Sequence, residues 1–216
     1  TAVWSGLRPL VRNEDGTTAT GKTADLSRKH QVRVSTTGVV SIAGGKLTTY
    51  RKMAEHAVDA ACKQLDSKPR CRTKRLAFVG ARGFRQSMLS GKDAGLAERF
   101  GAEFTQINEL VAQNPHLSEP LISGLPYIKA EAIFAVRNEM ARTLDDVLSR
   151  RTRARIINRP AALASARSVA ELIAPELQWS LAEITQQVTD FVDSCAREQD
   201  AAMVSESEFV QSTTIS

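Results

Sequence analysis

The sequence is poor in cysteine and has no long apolar run. Its three cysteines, Cys62, Cys71 and Cys195, are too few and too widely spaced for a disulfide framework or a zinc site. No apolar stretch approaches the length that crosses a bilayer, and no signal peptide opens the chain. These absences exclude the disulfide-rich and membrane-spanning classes. They predict a cytoplasmic location, with the membrane surface as a second site.

Aromatic residues are also scarce, at 5% of the 216 residues. The net charge of +5 and the pI near 9.3 favour anionic ligands, acidic lipid or nucleic acid. Nucleic acid is not predicted, because the basic residues are not interleaved with aromatic ones and no known module is present. The length suits one domain with a sizeable core, or two small ones.

The start of the chain predicts that it is the tail of a longer protein. The first residue is Thr1 rather than methionine, and the sequence opens directly on apolar residues. Trp4, Leu7 and Leu10 have the character of core residues, but no segment precedes them to pack against. We therefore expect upstream elements to cover them.

The chain is organised around residues 41–51, which read Ser-Ile-Ala-Gly-Gly-Lys-Leu-Thr-Thr-Tyr-Arg. Val39, Val40 and Ile42 form a short apolar run typical of a buried strand. Apolar residues then recur at helical spacing, namely Met53, Ala54, Ala57, Val58, Ala61 and Leu65. This pattern predicts a strand that ends in two glycines, followed by a helix over residues 48–65.

Gly44 and Gly45 lie where the strand turns into the helix. Glycine there permits positive φ and lets the backbone approach a ligand closely. Thr48 or Thr49 is a candidate N-cap, and the first N–H groups of the helix would face whatever lies over the turn. Lys46 adds a positive charge, which suits an anion. The spacing alone also fits a tight turn that merely starts a helix.

The first part of the chain mixes strands with one helix. Residues 13–27 are polar and predict a surface loop. Residues 31–35 and 39–43, separated by Thr36-Thr37-Gly38, predict a β-hairpin that leads into the glycine pair. Gly80-Ala81-Arg82-Gly83 lacks the Lys-Ser/Thr of a phosphate-binding loop and predicts an ordinary loop.

The second part predicts only helices. Short helices are expected over 95–100 and 105–112, and two more over 161–174 and 181–203, separated by Pro175. A long helix should lie between these pairs, because one face carries an apolar stripe of Ile133, Val136, Met140, Leu144, Val147 and Leu148. Asp145 and Asp146 are adjacent on it and should face different directions. The basic run that follows predicts a solvated helix end or, alternatively, contact with anionic lipid; it comprises Arg150, Arg151, Arg153, Arg155 and Arg159.

The predicted fold class is α+β. Residues 1–68 would form the C-terminal end of an α/β domain, with short antiparallel strands and one helix. Residues 69–91 are basic and predict a linker, residues 92–204 an all-helical domain, and residues 205–216 a polar, flexible tail.

Three motifs in this order resemble the FAD-dependent glycerol-3-phosphate dehydrogenases. Residues 43–55, Ala-Gly-Gly-Lys-Leu-Thr-Thr-Tyr-Arg-Lys-Met-Ala-Glu, are similar to the family's strand–helix turn at the flavin. Residues 6–10, Gly-Leu-Arg-Pro-Leu, resemble its Gly-x-Arg-Pro segment. Residues 139–153 are similar to the signature of its C-terminal helical domain. The resemblance covers only the C-terminal part of the family.

The resemblance implies an activity and its partners. The family oxidises sn-glycerol 3-phosphate to dihydroxyacetone phosphate, passes a hydride to FAD and hands the electrons to a membrane quinone. It implies a peripheral position on the inner face of the cytoplasmic membrane and leaves a homodimer open. The Gly-x-Gly-x-x-Gly turn for the FAD pyrophosphate is absent from this sequence, and so is the family's proposed base. Both are expected in a missing N-terminal half.

The resemblance also assigns roles to residues. Arg8 and Arg28 would bind the substrate phosphate, since a guanidinium makes planar, bidentate contacts with phosphate oxygens. Lys46 would lie beside both substrate and flavin. Gly44, Gly45, Leu47 and Thr48 would contact the flavin ring through backbone groups.

No residue of this sequence is predicted to be catalytic or to bind a metal. His30, His56 and His116 are expected to have surface or structural roles. The chain is therefore expected to be inactive alone. The alternative is a non-catalytic helical interaction module, in which the glycine turn is the remnant of such an enzyme. A reading frame that extends upstream into a dinucleotide-binding half distinguishes the two, and flavin absorbance of the purified chain is the laboratory substitute.

Overall fold

A computed structural model describes residues 30–67 and 69–203. The chain divides into two compact units, with the boundary between Phe78 and Val79. We call the described residues up to Phe78 the amino-terminal unit, and those from Val79 to Met203 the helical unit. The chain is α+β, as predicted, whereas the finer division into domain, linker and tail stays a prediction.

The amino-terminal unit is a β-hairpin followed by a helix, which confirms the predicted order. Strands β1 (Gln31–Val34) and β2 (Val40–Ala43) pair antiparallel in a register that sets Gln31 opposite Ala43. Gly38, at φ +83°, closes the connection by donating its N–H to the Ser35 carbonyl at 3.0 Å. A 3₁₀ turn over Leu47–Thr49 leads into α1 (Tyr50–Gln64), which packs against both strands.

The prediction of a buried strand before the glycine pair is wrong for the described residues. Val39 is 59% exposed and Ile42 is 40% exposed. Among residues 30–67 and 69–203, the hairpin has two strands and α1 is the one helix of its unit that packs against it, which is too little structure to enclose either face. Consequently, none of the described residues of the amino-terminal unit is fully buried.

The helical unit opens on a contact between two backbone turns. Gly80 lies at φ +80° in the predicted loop, and its carbonyl accepts a hydrogen bond from the Ala102 N–H at 2.8 Å. A Cβ atom on Gly80 would lie 2.5 Å from the Phe100 carbonyl oxygen. Gly101, at φ +58°, faces Gly80 from the other side. Only glycine permits so close an approach of two main chains.

Helices make up the rest of this unit, and no strand lies between residues 129 and 203. Helix α3 packs on α4, and α4 and α7 both pack on α6. A smaller apolar core includes Ile107 and Phe134, and a larger one includes Leu144, Ile173 and Phe191. The helices are α2 (Ala94–Phe100), α3 (Phe104–Gln113), α4 (Lys129–Asn138), α5 (Ala154–Ile157), α6 (Arg159–Leu177) and α7 (Leu181–Met203).

A buried ion pair joins α2 to the start of α4. Glu131 is 3% exposed and accepts two hydrogen bonds from the Arg99 guanidinium, at 2.8 and 3.0 Å. The same carboxylate accepts the Ile128 N–H at 3.0 Å and so caps α4. Arg99 also donates to the Pro126 carbonyl and lies over the ring of Tyr127. This network satisfies a charge that would otherwise be costly to bury.

The predicted long helix is wrong. Helix α4 ends at Asn138, and Met140 has φ +60° and is 79% exposed. A separate π-helical turn then runs over Asp146–Arg151. The carboxylate of Asp146 accepts the N–H groups of Arg142 and Thr143, at 3.0 Å each, and the Thr143 hydroxyl accepts the Asp146 N–H at 3.0 Å. This reciprocal cap starts a new helical segment at this point. The chain therefore forms two separate helical segments where the apolar stripe predicted one.

Pro175 lies inside α6, so it does not separate the last two helices as predicted. The helix ends at Gln178 instead, which adopts the left-handed conformation at φ +57°. The Trp179 N–H donates to the Ala174 carbonyl at 3.0 Å and closes the end. Such a C-cap satisfies the last carbonyls, which lets the helix continue past the proline for part of a turn.

Candidate functional site

The candidate site is the turn between β2 and α1. Gly44 and Gly45 both have positive φ, at +76° and +81°, whereas Lys46 is extended at φ −133°. Two successive left-handed residues reverse the chain after Ala43 at a position where other residue types would be strained. The turn that the sequence predicted is therefore present, and both glycines are required by its geometry.

Gly45 is also required by packing. A Cβ atom there would lie 2.5 Å from the Sδ atom of Met53 and 3.2 Å from the Cβ atom of His30. The turn therefore rests directly on helix α1 from one side and on the residue before β1 from the other.

Lys46 is exposed, and hydrogen bonds to its main chain fix its position in the turn. Its N–H donates to the Thr49 hydroxyl at 3.3 Å, and the same hydroxyl donates to the Lys46 carbonyl at 2.9 Å. Thr49 precedes α1 as predicted, but its hydroxyl does not cap the helix and closes the 3₁₀ turn instead. The Lys46 ammonium has no hydrogen-bond or ion-pair partner within residues 30–67 and 69–203.

Leu47 and Thr48 present the start of the helical segment to solvent. Leu47 is 89% exposed, and Thr48 is exposed as well. The first N–H groups of a helical segment have no acceptor within that segment, and they carry partial positive charge. Together with Lys46, they make this edge of the turn suitable for an anionic or electron-rich group.

Arg51 serves the structure of α1. Its guanidinium donates to Glu55 at 3.0 Å and to the Thr73 hydroxyl at 3.2 Å. Lys52 lies 3.2 Å from the same carboxylate. The hydrogen bonds from Lys52 and Arg51 hold the pKa of Glu55 below its ordinary value. Arg51 and Lys52 thus share one carboxylate, whereas the Lys46 ammonium has no partner among the described residues.

Arg8 and Arg28 lie outside the described residues. Their convergence with Lys46 on one phosphate site therefore stays a prediction. Among the described residues, the structure brings together Gly44, Gly45, Lys46, Leu47 and Thr48 on one turn, which is what the sequence motif requires. Their assignment to a ligand is likewise a prediction.

The predicted basic run divides into two parts. Arg150, Arg151 and Arg153 are exposed, as a solvated helix end requires, whereas Arg155 and Arg159 are mostly buried, and contact with lipid stays a prediction. Arg155 is 13% exposed and donates to Glu198 at 2.9 Å and to Asp145 at 3.2 Å. Arg159 is 14% exposed and lies 3.2 Å from Glu198. Glu198 of helix α7 supplies the carboxylate that Arg155 and Arg159 share, so these two side chains serve the packing of the helical unit.

Asp145 and Asp146 do converge, contrary to prediction. Both carboxylates contact Nη1 of Arg150, at 2.6 and 3.0 Å, because one long side chain can reach two adjacent residues. Burial raises the pKa of Asp146, but the N–H donors of Arg142 and Thr143 outweigh it and hold this pKa below its ordinary value. An ionised, capped carboxylate of this kind is unsuited to proton transfer.

An open cavity of about 360 Å³ lies beside this pair, but its polar groups are already engaged. Asp190 accepts a hydrogen bond from Gln186, and Gln187 accepts the Leu144 N–H. Over residues 30–67 and 69–203, no group of three or more histidine, cysteine, aspartate or glutamate side chains could hold a metal ion. No helix in the same ranges is long and apolar enough to cross a membrane.

One feature of the site and one of the helical unit escaped the sequence interpretation. His30 and His56 are hydrogen bonded to each other beside the turn, although 26 residues separate them in the chain. No local pattern signals that contact. The cap at Asp146 did have a signal, because Thr143-Leu144-Asp145-Asp146 is a capping-box sequence.

Comparison with known proteins identifies the family. Residues 71–184 match the C-terminal domain of alpha-glycerophosphate oxidase. Glycerol-3-phosphate dehydrogenase 2 of Mycobacterium tuberculosis is 34% identical over 204 residues, which cover 88% of this chain and 34% of the relative. The Mycobacterium leprae glycerol-3-phosphate dehydrogenase is 35% identical over 203 residues, with the same coverage.

A solved structure is similar as well. It is the glycerol-3-phosphate dehydrogenase of Bacillus halodurans in complex with FAD, with a TM-score of 0.63 and 26% identity over 76% of this chain and 36% of that one. This chain thus spans about a third of the length of the curated relatives that it matches. It belongs to the family of the alpha-glycerophosphate oxidase C-terminal domain and corresponds to the C-terminal portion of glycerol-3-phosphate dehydrogenases.

Proposed function

We propose that this chain is the C-terminal part of an enzyme that oxidises sn-glycerol 3-phosphate to dihydroxyacetone phosphate, with FAD as cofactor and quinone as electron acceptor. The observation that carries the proposal is the turn at Gly44 and Gly45, with two positive φ angles, followed by Lys46, whose ammonium has no partner among the described residues. The names of the relatives support the substrate, and the FAD complex of the solved structure supports the cofactor.

The turn fits a flavin ring but not a whole FAD. Two residues without side chains leave the backbone accessible, and the N-terminus of a helical segment favours electron-rich atoms. The sequence contains no Gly-x-Gly-x-x-Gly turn for the pyrophosphate. When bound, FAD would supply the hydride acceptor for the C2 hydrogen of the substrate. Gly44, Gly45, Leu47 and Thr48 would hold the ring through their backbone groups.

The residues of this chain would bind and orient the substrate. Lys46 would neutralise negative charge on the substrate oxygen or beside the ring. Arg8 and Arg28, outside the described residues, would hold the phosphate. Arg8→Ala should therefore raise KM more than it lowers kcat, because a phosphate contact is made in the ground state and the transition state alike.

We assign the base that takes the proton of the substrate alcohol to none of the described histidines. His30 and His56 are bonded to each other, and His116 lies between Glu119 and Lys129, at 2.6 and 2.9 Å. We propose that the base and the dinucleotide site belong to a preceding part of the enzyme. Association with the inner face of the cytoplasmic membrane and a homodimer remain further parts of the proposal.

The purified chain should be colourless and inactive. General-base assistance is typically worth about 10²–10⁴-fold, and the adenosine and pyrophosphate contacts for FAD are absent. Visible absorbance near the flavin bands and dye reduction with sn-glycerol 3-phosphate test this directly. A yellow chain that reduces the dye would show that the cofactor site lies within these residues.

Complementation then tests the activity itself. The chain is co-expressed with the preceding two thirds of a mycobacterial relative, and the native relative serves as positive control. We expect substrate-dependent dye reduction, which Lys46→Met should lower by about 10²-fold or more if Lys46 stabilises developing charge. Lys63→Met, an exposed lysine at the far end of α1, is the matched control and should retain activity. An assembled, flavin-loaded complex without activity would contradict the proposal.

A further inference from the structure

Two histidines form a direct hydrogen bond beside the glycine turn. His30 immediately precedes β1, and His56 lies in α1. His30 Nε2 lies 2.8 Å from His56 Nδ1, and the ring centroids are 4.9 Å apart at an interplanar angle of 41°. This bond links the start of the hairpin to the helix that follows it.

The bond constrains the chemistry of both rings. An N–H···N bond needs one donor and one acceptor nitrogen, so at least one imidazole must be neutral. The accepting ring must carry its proton on the nitrogen that does not take part in the bond. The contact therefore fixes the tautomer of the accepting ring and the orientation of both rings.

The pair is connected to the turn by packing. Gly45 lies against His30 and Met53, because a Cβ atom on Gly45 would come close to both side chains. His30 is also placed next to the turn by the hairpin, because Gln31 pairs with Ala43 and Gly44 follows directly. Met53 and His56 are three residues apart on α1 and therefore share a face of the helix.

We infer that the His30–His56 bond holds the glycine turn in its conformation, so that both imidazoles are positioning residues for the group that the turn binds. Gly45 packs against His30, which is hydrogen bonded to His56 in α1. Met53, in the same helix, packs against Gly45 as well, so the turn is supported through both residues. Without the bond, His30 is no longer held to α1, and Gly45 loses a fixed packing partner. Lys46 and the free N–H groups of the 3₁₀ turn then lose their fixed direction.

The identity of the bound group, the flavin ring, rests on the proposed function. Support of the turn does not, because it is a property of the ligand-free chain. Neither ring is assigned a part in proton transfer. The two statements can therefore fail separately, and the experiment measures the conformation of the turn in the absence of any ligand.

Nuclear magnetic resonance of the full chain, labelled with ¹⁵N, tests the bond itself. We expect a nitrogen–nitrogen coupling through the hydrogen bond between His30 Nε2 and His56 Nδ1, and a single fixed tautomer for the accepting ring. Absence of the coupling at neutral pH, with both rings charged or both averaging between tautomers, would overturn the inference.

Matched variants test the effect on the turn. His56→Ala and His30→Ala remove the bond, whereas His56→Asn places a polar atom near Nδ1 and His30→Gln places one near Nε2. We expect the amide signals of Gly44, Gly45 and Lys46 to shift or broaden in the alanine variants and to stay near their native positions in the amide variants. Unshifted turn signals in the alanine variants would overturn the inference.

Helix propensity predicts the opposite order at His56. Alanine is a better helix former than asparagine, so a role limited to stabilising α1 would favour His56→Ala over His56→Asn. His116→Ala is the control, because this histidine lies in the helical unit and should leave the turn signals unchanged. If an alanine variant unfolds the amino-terminal unit, the amide variants decide. Native turn signals in both support the inference, and displaced signals in both overturn it.

Discussion

At the scale of single residues, Gly45 is constrained both by its backbone conformation and by packing. Its φ of +81° is strained for any other residue type, and a Cβ atom would lie 2.5 Å from Met53 Sδ. Gly45→Ala should therefore destabilise the turn by about 1–3 kcal/mol, the usual cost of a residue held in a sparsely populated backbone region. The difference in free energy of unfolding, from denaturant titration of the full chain, measures it.

A second glycine provides the matched control for that measurement. Gly91 has φ −92°, and a Cβ atom there would meet nothing within 4 Å. Gly91→Ala should thus leave the free energy of unfolding within about 0.5 kcal/mol of the native value, or raise it slightly. Adding Met53→Ala to Gly45→Ala separates the two causes, because it relieves the contact and leaves the backbone strain. Equal effects of Gly45→Ala and Gly91→Ala would contradict the assignment.

At the scale of elements, the cap at Asp146 sets where the helical segment after α4 begins. Asp146→Ala removes the acceptor of the Arg142 and Thr143 N–H groups and should cost about 1 kcal/mol, as other helix caps do. The loss should also depend on pH. The folded state lowers the pKa of this carboxyl from the ordinary value of 3.8, so its contribution is present above that value and is lost as the pH falls through the folded pKa.

Thermal unfolding at several pH values measures this contribution. The native chain and Asp146→Ala should differ most near neutral pH and approach each other below the ordinary carboxyl range. Asp193→Ala, at an exposed position of α7, is the control for removal of a carboxylate and should shift the curve little. A constant difference between the native chain and Asp146→Ala across the pH range would contradict the role of the ionised cap.

Local signals predicted some elements correctly and failed at others for identifiable reasons. The hairpin, α1 and the short helices α2 and α3 follow from alternation, spacing and turn residues close in sequence. The stripe from Ile133 to Leu148 misled because its residues enter two different cores, Ile133 the smaller and Leu144 the larger. Apolar spacing records burial and cannot show that the helix between two buried residues is continuous.

In the candidate site, too, features with local signals were predictable and features that depend on tertiary packing were not. The glycine turn was predictable, because positive φ angles, a following helix and Lys46 are all encoded within a few residues. The His30–His56 contact and the pairing of Arg155 with Glu198 join residues 26 and 43 positions apart, so they depend on tertiary packing. A basic run looks the same in sequence whether helix α7 covers it or solvent does.

At the scale of the whole molecule, the two units differ in how much of their own core they contain. The helical unit encloses two apolar clusters, whereas no described residue of the amino-terminal unit is fully buried. Apolar burial is the dominant favourable term in folding, so a unit whose apolar residues are only partly buried gains less free energy with which to offset its conformational entropy. The proposed function gives the reason, since the missing part of the enzyme would cover these surfaces.

The last prediction follows from this difference and concerns fragments of the chain. A fragment of residues 79–203 keeps both cores, the Arg99–Glu131 pair and the contact between Gly80 and Gly101. It should therefore fold alone, with a cooperative thermal transition and a free energy of unfolding of about 5–15 kcal/mol. Residues 30–78 alone should show no cooperative transition. Circular dichroism and denaturant titration of both fragments measure this, with the full chain as reference. A helical fragment that melts without cooperativity, or an amino-terminal fragment that melts with it, would mean that the contacts which stabilise the chain lie elsewhere than in the two cores.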